Sequence, residues 1–307
     1  MGILSEVLSV FSRKPIFGYR AIAMSSMAIA LLGFMVWGHH MFTSLAPWTR
    51  VPFMVTSMII AVPTGIKVFG WLGTIWGGKI RFTAAMHFAL GFLSLFVIGG
   101  ISGVMLASIP VDQQAHGTYF VVAHLHFVLF GGSVFAIMAG AYYWFPKITG
   151  RFMNERLGKV HFWLTYVGFL MSFLPMHVSG LYGMPRRVAV YDPKFQVINI
   201  ITSLGAFILG IGQFPFFVNA AVSFVGGKRA GNNPWNALTL EWTISSPPPE
   251  YDFAEDPIPA PDPYGYGTAM ATAYLAGERD MVALNAAMHA GGAHGHTTVE
   301  SVAGGDK

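Results

Sequence analysis

The 307-residue sequence contains no cysteine. This absence excludes disulfide bonds, thiolate metal sites and catalysis by a cysteine nucleophile. It leaves the 11 histidines and oxygen atoms as the metal ligands to consider. Charged residues are also scarce, at 10% of the chain, whereas soluble domains have about 25%. The composition therefore disfavours a free-standing soluble enzyme.

Long apolar runs dominate the first 225 residues. Hydrophobic residues make up 54% of the chain, and several segments reach the length of about 20 residues that crosses a bilayer. The sequence predicts an all-α, polytopic transmembrane helix bundle with six spans, near residues 20–45, 51–76, 84–107, 118–145, 157–182 and 196–224.

A change of composition near residue 226 divides the chain into two predicted regions. Residues 1–225 are expected to form the transmembrane domain. Residues 226–307 are expected to be a largely disordered cytoplasmic tail, because proline and acidic residues crowd 246–263 and Ala, Gly and His fill 285–307.

The basic residues are shared unequally between the predicted loops. With the N-terminus inside, eleven Lys and Arg residues fall in inner loops and four in outer loops, which is the positive-inside bias of membrane proteins. The net charge of +4 thus indicates membrane orientation, not nucleic-acid binding. We expect an integral protein of a bacterial cytoplasmic membrane, or an equivalent inner membrane, in contact with lipid.

Four histidines are predicted at one depth beneath the outer face of the membrane. His39 and His40 lie near the outer end of the first span, and His124 and His126 lie six and eight residues into the fourth. Polar groups inside a membrane are costly and are functional candidates by default. The alternative is four unrelated histidines, each satisfied separately.

The spacing of these histidines limits what they can bind. His124 and His126 are two positions apart, so on a regular helix they point to nearly opposite faces and cannot ligate one ion together. Each could be the axial ligand of a different haem. The neighbouring His39 and His40 could reach one metal, and imidazole suits copper, iron and zinc.

A lysine is predicted in the inner half of the second span. Lys67 lies 16 residues from the outer end of that span, and Thr64 is three residues earlier on the same helix face. The pair favours a proton path from the inner side towards the histidines. The alternative is a lysine that reaches the inner lipid headgroups.

Charged groups of the outer loops are expected on the same side as the histidines. Asp112 and His116 precede the fourth span, and Arg186 and Arg187 follow the fifth. Adjacent arginines are suited to bidentate hydrogen bonding with carboxylates such as haem propionates.

Taken in order, these residues make the chain resemble subunit I of the haem–copper terminal oxidases, of the cytochrome c oxidase type. The resemblance covers roughly residues 1–255. Its motifs are WGHH at 37–40, PTGIK at 63–67, HGTYFVVAHLH at 116–126, GMPRR at 183–187, LEW at 240–242 and PPP at 247–249.

The resemblance implies the metal ligands. His39 and His40 would be two of the three histidines that bind the active-site copper. His124 would be the axial ligand of a high-spin haem of the A type, and His126 would be one axial ligand of a low-spin haem.

The resemblance also implies roles for the remaining polar residues. Asp112, Arg186 and Arg187 would hold haem propionates, and Thr64 and Lys67 would belong to the lysine-type proton channel. His116 would bind magnesium or manganese. The family has an aspartate where this chain has Gly117, so that site lacks one oxygen ligand.

The six predicted spans correspond to the second half of a twelve-helix subunit. The third copper histidine and the second histidine of the low-spin haem are therefore expected upstream of this chain. The implied activity is reduction of dioxygen to water with electrons from cytochrome c, coupled to proton translocation. The implied partners are the N-terminal half, subunits II and III, and cytochrome c. A quinol oxidase and a non-catalytic membrane fragment are the alternatives.

Overall fold

The computed structural model describes residues 1–253 and 256–280, and that part of the chain is helical and contains no β-strand. The helices are α1 (Gly2–Ser12), α2 (Tyr19–Gly33), α3 (Pro47–Ile59), α4 (Ala61–Ile75), α5 (Ala84–Ala107), α6 (Ile109–Ala115), α7 (Tyr119–Leu129), α8 (Phe135–Thr149), α9 (Glu155–Leu181), α10 (Gln196–Gly226) and α11 (Ala269–Leu275). A π-helical turn, Phe130–Val134, joins α7 to α8.

Five helical stretches of the described residues are long and apolar enough to cross a membrane. They agree with the second to sixth predicted spans to within a few residues, and they confirm the predicted transmembrane helix bundle. Their bounds are Pro47–Ile75, Ala84–Ala107, Tyr119–Thr149, Glu155–Leu181 and Pro193–Gly226.

The first predicted span, 20–45, is wrong as one continuous helix. α2 stops at Gly33 after 15 residues, a length of about 22 Å that falls short of a hydrocarbon core of about 30 Å. The chain then turns into a short 3₁₀ helix, Trp37–Met41. His39 and His40 therefore lie in a tight turn between α2 and α3, not within a regular helix.

A tertiary contact explains this turn. The Met35 carbonyl accepts a hydrogen bond of 3.0 Å from Oγ1 of Thr56 on α3. The amide of His39, which would bond Met35 in an α-helix, instead donates to the Val36 carbonyl at 3.1 Å. The contact with α3 thus replaces a helical hydrogen bond, and the sequence of α2 alone does not reveal it.

α9 and α10 form a closely packed hairpin that supports α7. A Cβ atom at Gly168 would lie 2.5 Å from the backbone nitrogen of Leu209, so only glycine allows this approach. From α9, Phe169 packs edge-on against Phe127 of α7, with ring centroids 4.9 Å apart. The hairpin therefore fixes the side of α7 that faces away from α5.

Part of the predicted tail is packed onto α1 and α8. Trp235, Trp242 and Tyr266 are buried, and Nε1 of Trp235 donates to the Tyr143 carbonyl at 2.8 Å. The expectation of disorder therefore does not hold for residues 227–253 and 256–280, because aromatic side chains supply a buried face there. Residues 254–255 and 281–307 of the predicted tail lie outside the described residues.

Buried polar contacts attach this segment to the helices. Oε1 of Glu6 on α1 accepts hydrogen bonds from the hydroxyls of Tyr143 at 2.8 Å and Thr239 at 3.2 Å. Nζ of Lys147 donates to the carbonyls of Asn232 at 2.9 Å and Ile244 at 2.8 Å. Because buried polar groups are costly without partners, these contacts hold the segment in one position.

Replacing Tyr143 with Phe should lower the thermal stability of the purified complex. The ring would stay in place, but buried Glu6 would lose one of its two donors, at a cost of about 1–3 kcal/mol. Thermal unfolding in detergent measures the effect. Tyr182→Phe is the matched control because that side chain is 73% exposed; equal transition temperatures for the two variants would contradict the role of Glu6.

Candidate metal centre

One cavity of about 150 Å³ brings together most of the predicted site residues. It lies between the turn of residues 37–41, the end of α5, α6 and the first half of α7. Apolar side chains close part of its wall. Its polar lining consists of His39, His40, Asp112, His116, His124 and Arg186.

His39 and His40 converge on one point of this cavity. Their Nε2 atoms are 3.0 Å apart, and Nδ1 of His39 lies 2.8 Å from Oγ of Ser57. Two ring nitrogens this close either share a proton or face one metal ion, so the pair fits a metal with imidazole ligands. Within residues 1–253 and 256–280, no group of three potential His, Asp or Glu ligands forms.

α5 positions the ring of His124. Its Nδ1 atom lies 3.0 Å from the Gly99 carbonyl and 3.0 Å from Oγ of Ser102, both on α5. Because a carbonyl oxygen only accepts hydrogen bonds, Nδ1 carries the proton of the neutral ring. Nε2 therefore keeps its lone pair, which is the arrangement of histidines that ligate metals.

His126 faces another side of α7. Its Nδ1 lies 2.8 Å from the Val122 carbonyl of the same helix, which again leaves the Nε2 lone pair for a metal. Its ring stacks on Phe173 of α9, with centroids 4.1 Å apart and planes tilted by 12°. His124 thus faces α5 and His126 faces α9, as their spacing predicts, so the two could serve separate cofactors.

A carboxylate and an imidazole form the outer part of the cavity wall. Oδ2 of Asp112 lies 3.0 Å from Nδ1 of His116 on the same face of α6. Burial raises the pKa of Asp112, although the hydrogen bond from His116 and the charges of His116, His40 and Arg186 act in the opposite direction. Asp112 and His116 therefore form one hydrogen-bonded pair in the cavity wall.

The two arginines have different positions. The backbone amide of Arg186 donates to the Gly117 carbonyl at 2.9 Å, which brings its loop beside His116. Arg187 follows with a left-handed backbone (φ 62°) and an exposed side chain. Only Arg186 of the pair lines the cavity.

Lys67 is 2% exposed and points towards α2. Its Nζ donates to the Ile22 carbonyl at 3.3 Å and to Oγ of Ser26. Oγ1 of Thr64 donates to the carbonyl of Ile60 in its own helix at 2.8 Å. These contacts keep the amine between helices instead of at the membrane surface, and neither residue lines the histidine cavity.

Sequence reasoning missed two residues at this centre, Ser57 and Ser102. Each contacts Nδ1 of a predicted metal ligand, and neither belongs to a recognisable motif. A hydroxyl within an apolar helix is the only signal that the sequence offers, and many such residues merely bond their own backbone.

The sequence profile of the family described as "Cytochrome C and Quinol oxidase polypeptide I" matches residues 1–208. The chain belongs to this family. Family membership implies haem and copper cofactors in general, and the paired histidines fit that implication.

Curated relatives agree with the family assignment. The chain is 56% identical over 267 residues to "Cytochrome c oxidase subunit 1" of Synechocystis and 57% identical to the protein of that name from Thermostichus vulcanus, with 87% of this chain covered in each. It is 49% identical over 261 residues to the Bacillus sp. protein, with 84% of this chain covered. The matches cover 48%, 48% and 42% of those proteins, so the chain spans about half their length.

A solved structure supports the fold. It is described as "Cryo-EM structure of a heme-copper terminal oxidase dimer provides insights into its catalytic mechanism". The TM-score is 0.67 at 19% sequence identity, and the match covers 75% of this chain and 46% of the other.

Replacing Gly103 with Ala should displace the His124 ring, because the new Cβ would lie 2.9 Å from Cε1 of that ring. We expect a lower ratio of haem to protein in the purified complex, measured by absorption spectroscopy. Gly100→Ala is the control in the same helix, since a Cβ there meets no atom within 4 Å. Equal haem content in both variants would contradict the positioning of His124 by α5.

Proposed function

We propose that this chain supplies part of the catalytic subunit of a respiratory terminal oxidase. The complex would reduce dioxygen to water with electrons from cytochrome c and move protons across the membrane. The observation that carries the proposal is that one cavity is lined by His39, His40 and His124, with the Nε2 atoms of His39 and His40 3.0 Å apart. Because the chain spans about half the length of its relatives, the activity belongs to an assembly and not to this chain alone.

His39 and His40 would hold copper through their Nε2 atoms. His124 would hold a high-spin haem, which we propose to be of the A type, through the nitrogen that its bond to Gly99 leaves free. His126 would hold a low-spin haem on the other side of α7. When bound, these groups supply the electron-transfer and oxygen chemistry, whereas the protein provides ligation, access and electrostatics.

The outer polar residues would bind anionic groups of the cofactors. Arg186 and Arg187 carry the planar guanidinium donors that suit haem propionates, and Arg186 already lines the cavity. Asp112 would assist through its carboxyl group, whose pKa is raised by burial. His116 stays the proposed magnesium or manganese ligand; its neighbour Gly117 has no side-chain carboxylate to offer a hard cation.

Lys67 and Thr64 would carry protons from the inner side. The Lys67 amine has a hydroxyl and a carbonyl as neighbours on α2, and an amine in such a position can accept and release a proton between helices. Oγ of Ser25 donates to the same Ile22 carbonyl at 2.7 Å, which adds a second hydroxyl to this region. Proton entry between α2 and α4 is therefore part of the proposal.

The remaining partners follow from the same proposal. The N-terminal half of the subunit would bring the third copper histidine and the second low-spin haem ligand, and oxidase subunits II and III would complete the complex.

The protein is an integral membrane protein; its place in the bacterial cytoplasmic membrane, with the C-terminal tail inside, rests on the positive-inside count. The names of the relatives favour cytochrome c over the quinol donor.

Oxygen consumption by the purified complex tests the proposed activity. Reduced cytochrome c should support consumption, and a quinol should not. An optical spectrum of the same sample reports haem type and occupancy. A complex that carries haem and copper but accepts electrons only from quinol would overturn the proposed donor. A complex that binds neither haem nor copper would overturn the proposed activity and favour the non-catalytic membrane fragment.

Replacing Lys67 with Met should slow proton delivery while leaving metal ligation intact. Lys67 lies between α2 and α4 and outside the cavity, so its loss should not alter the histidines. Stopped-flow reduction of the haems and steady-state turnover measure the effect. Lys79→Met is the control, because that lysine is exposed in a loop; normal kinetics in Lys67→Met would defeat the proton-path proposal.

Residues 1–307 expressed alone should bind no haem with two histidine axial ligands and reduce no oxygen. A bis-histidine haem needs a ligand from a second helix, and His126 offers one. Co-expression with the N-terminal half should restore both properties, which absorption spectra and oxygen electrodes detect. Co-expression with an N-terminal half that lacks the expected histidines is the control. Oxygen reduction by this chain alone would contradict the half-subunit proposal.

A further inference from the structure

We infer that Ser57 is the positioning residue of His39, and that its hydroxyl holds the imidazole with Nε2 facing the cavity. The inference deepens the proposed function and rests on it, because it concerns how one ligand of the proposed copper site is oriented. Nothing in the motif around His39 indicates this residue, which lies 18 positions away on α3.

The contact itself is direct and partly buried. Ser57 is 6% exposed, and its Oγ lies 2.8 Å from Nδ1 of His39. The opposite nitrogen of the same ring, Nε2, lies 3.0 Å from Nε2 of His40. With a metal on Nε2, Nδ1 carries the proton and donates it to the serine oxygen, which fixes both the tautomer and the ring orientation.

Ser57 belongs to a face of α3 that holds the whole histidine turn. Phe53, Thr56 and Ser57 have the spacing of residues on one helix face. The Phe53 ring packs on Trp37 with centroids 5.2 Å apart and lies so close to Gly38 that a Cβ there would be 2.5 Å from it. Because Thr56 binds the backbone and Phe53 packs on the turn, Ser57 is the member of this face that contacts a ligand side chain.

His40 shows why this contact matters for the pair. Its side chain is exposed, and within the described residues its hydrogen bond is to His39. Within the described residues, the hydrogen bond that joins the two imidazole rings to a neighbouring helix is therefore the one at Nδ1 of His39. Loss of the Ser57 hydroxyl should leave both rings free to turn away from the metal position.

Two variants of equal size test the inference in the assembled complex. Ser57→Thr keeps a hydroxyl and Ser57→Val replaces it with a methyl group. Copper per haem iron is measured after dialysis against a graded series of chelator concentrations. Loss of a group that orients a metal-bound histidine costs about 10–100-fold in metal affinity, so Ser57→Val should lose copper at correspondingly lower chelator concentration, and Ser57→Thr should match the unmodified complex.

A spectroscopic signal gives a second readout apart from turnover. Cu(II) beside a high-spin ferric haem couples to it magnetically and suppresses the haem's paramagnetic resonance signal. That signal should appear in Ser57→Val and stay absent in Ser57→Thr. Ser57→Ala removes the hydroxyl without added bulk and should behave like Ser57→Val. Ser44→Ala removes an exposed serine that bonds only the nearby Met41 carbonyl, so its complex should retain copper.

The outcomes separate the inference from the proposed function. Equal copper retention in the unmodified, Ser57→Val and Ser57→Ala complexes would overturn the role of Ser57 and leave the copper site intact. An unmodified complex that contains haem but no copper beside it would overturn the proposed function itself. Copper loss in Ser57→Thr equal to that in Ser57→Val would show that bulk, not the hydroxyl, matters, and would also overturn the inference.

Discussion

The close approach of α5 to α7 is the constraint on which the metal centre depends. Gly99 and Gly103 are one helical turn apart on α5, and a Cβ at either would lie within about 3 Å of α7 atoms. Small residues at this spacing let helix backbones approach closely in a membrane. Because the helices are this close, the Gly99 carbonyl reaches Nδ1 of His124 and fixes the ring. Without that approach, His124 would have an unpaired nitrogen in an apolar setting.

A second contact acts in a similar way on the other wall of the cavity. One face of α3 packs against the turn of residues 37–41, and Thr56 on that face donates a hydrogen bond to the Met35 carbonyl. The chain after α2 therefore does not continue as an α-helix. The two copper candidates are thus presented by a turn, and the haem candidates by a regular helix. In each case a neighbouring helix occupies Nδ1 of one histidine and leaves Nε2 to the cavity. His39 and His124 are thus oriented by contacts with a neighbouring helix, whereas His126 bonds the Val122 carbonyl of its own helix.

The segment after α10 has little regular structure, and polar groups hold it against α1 and α8. Glu6, Lys147 and the indole of Trp235 each bond across to another part of the chain. The composition after residue 226 favours disorder because proline and small residues dominate it. Four of its aromatic side chains are nevertheless buried, those of Trp235, Trp242, Tyr266 and Tyr274. Average composition therefore predicted disorder in a segment that a small number of side chains hold in position.

The sequence by itself determined the helical class, five of the six spans, and four histidines and one aspartate that line the cavity: His39, His40, His116, His124 and Asp112. Apolar length is a local property, and so is the two-residue spacing that turns His124 and His126 to different sides of α7. Only the tertiary structure decided that α2 ends at Gly33, that Arg186 and not Arg187 lines the cavity, and that Ser57 and Ser102 contact His39 and His124. These features depend on which helices touch, and contacts between residues far apart in the chain leave no periodic or local pattern in the sequence.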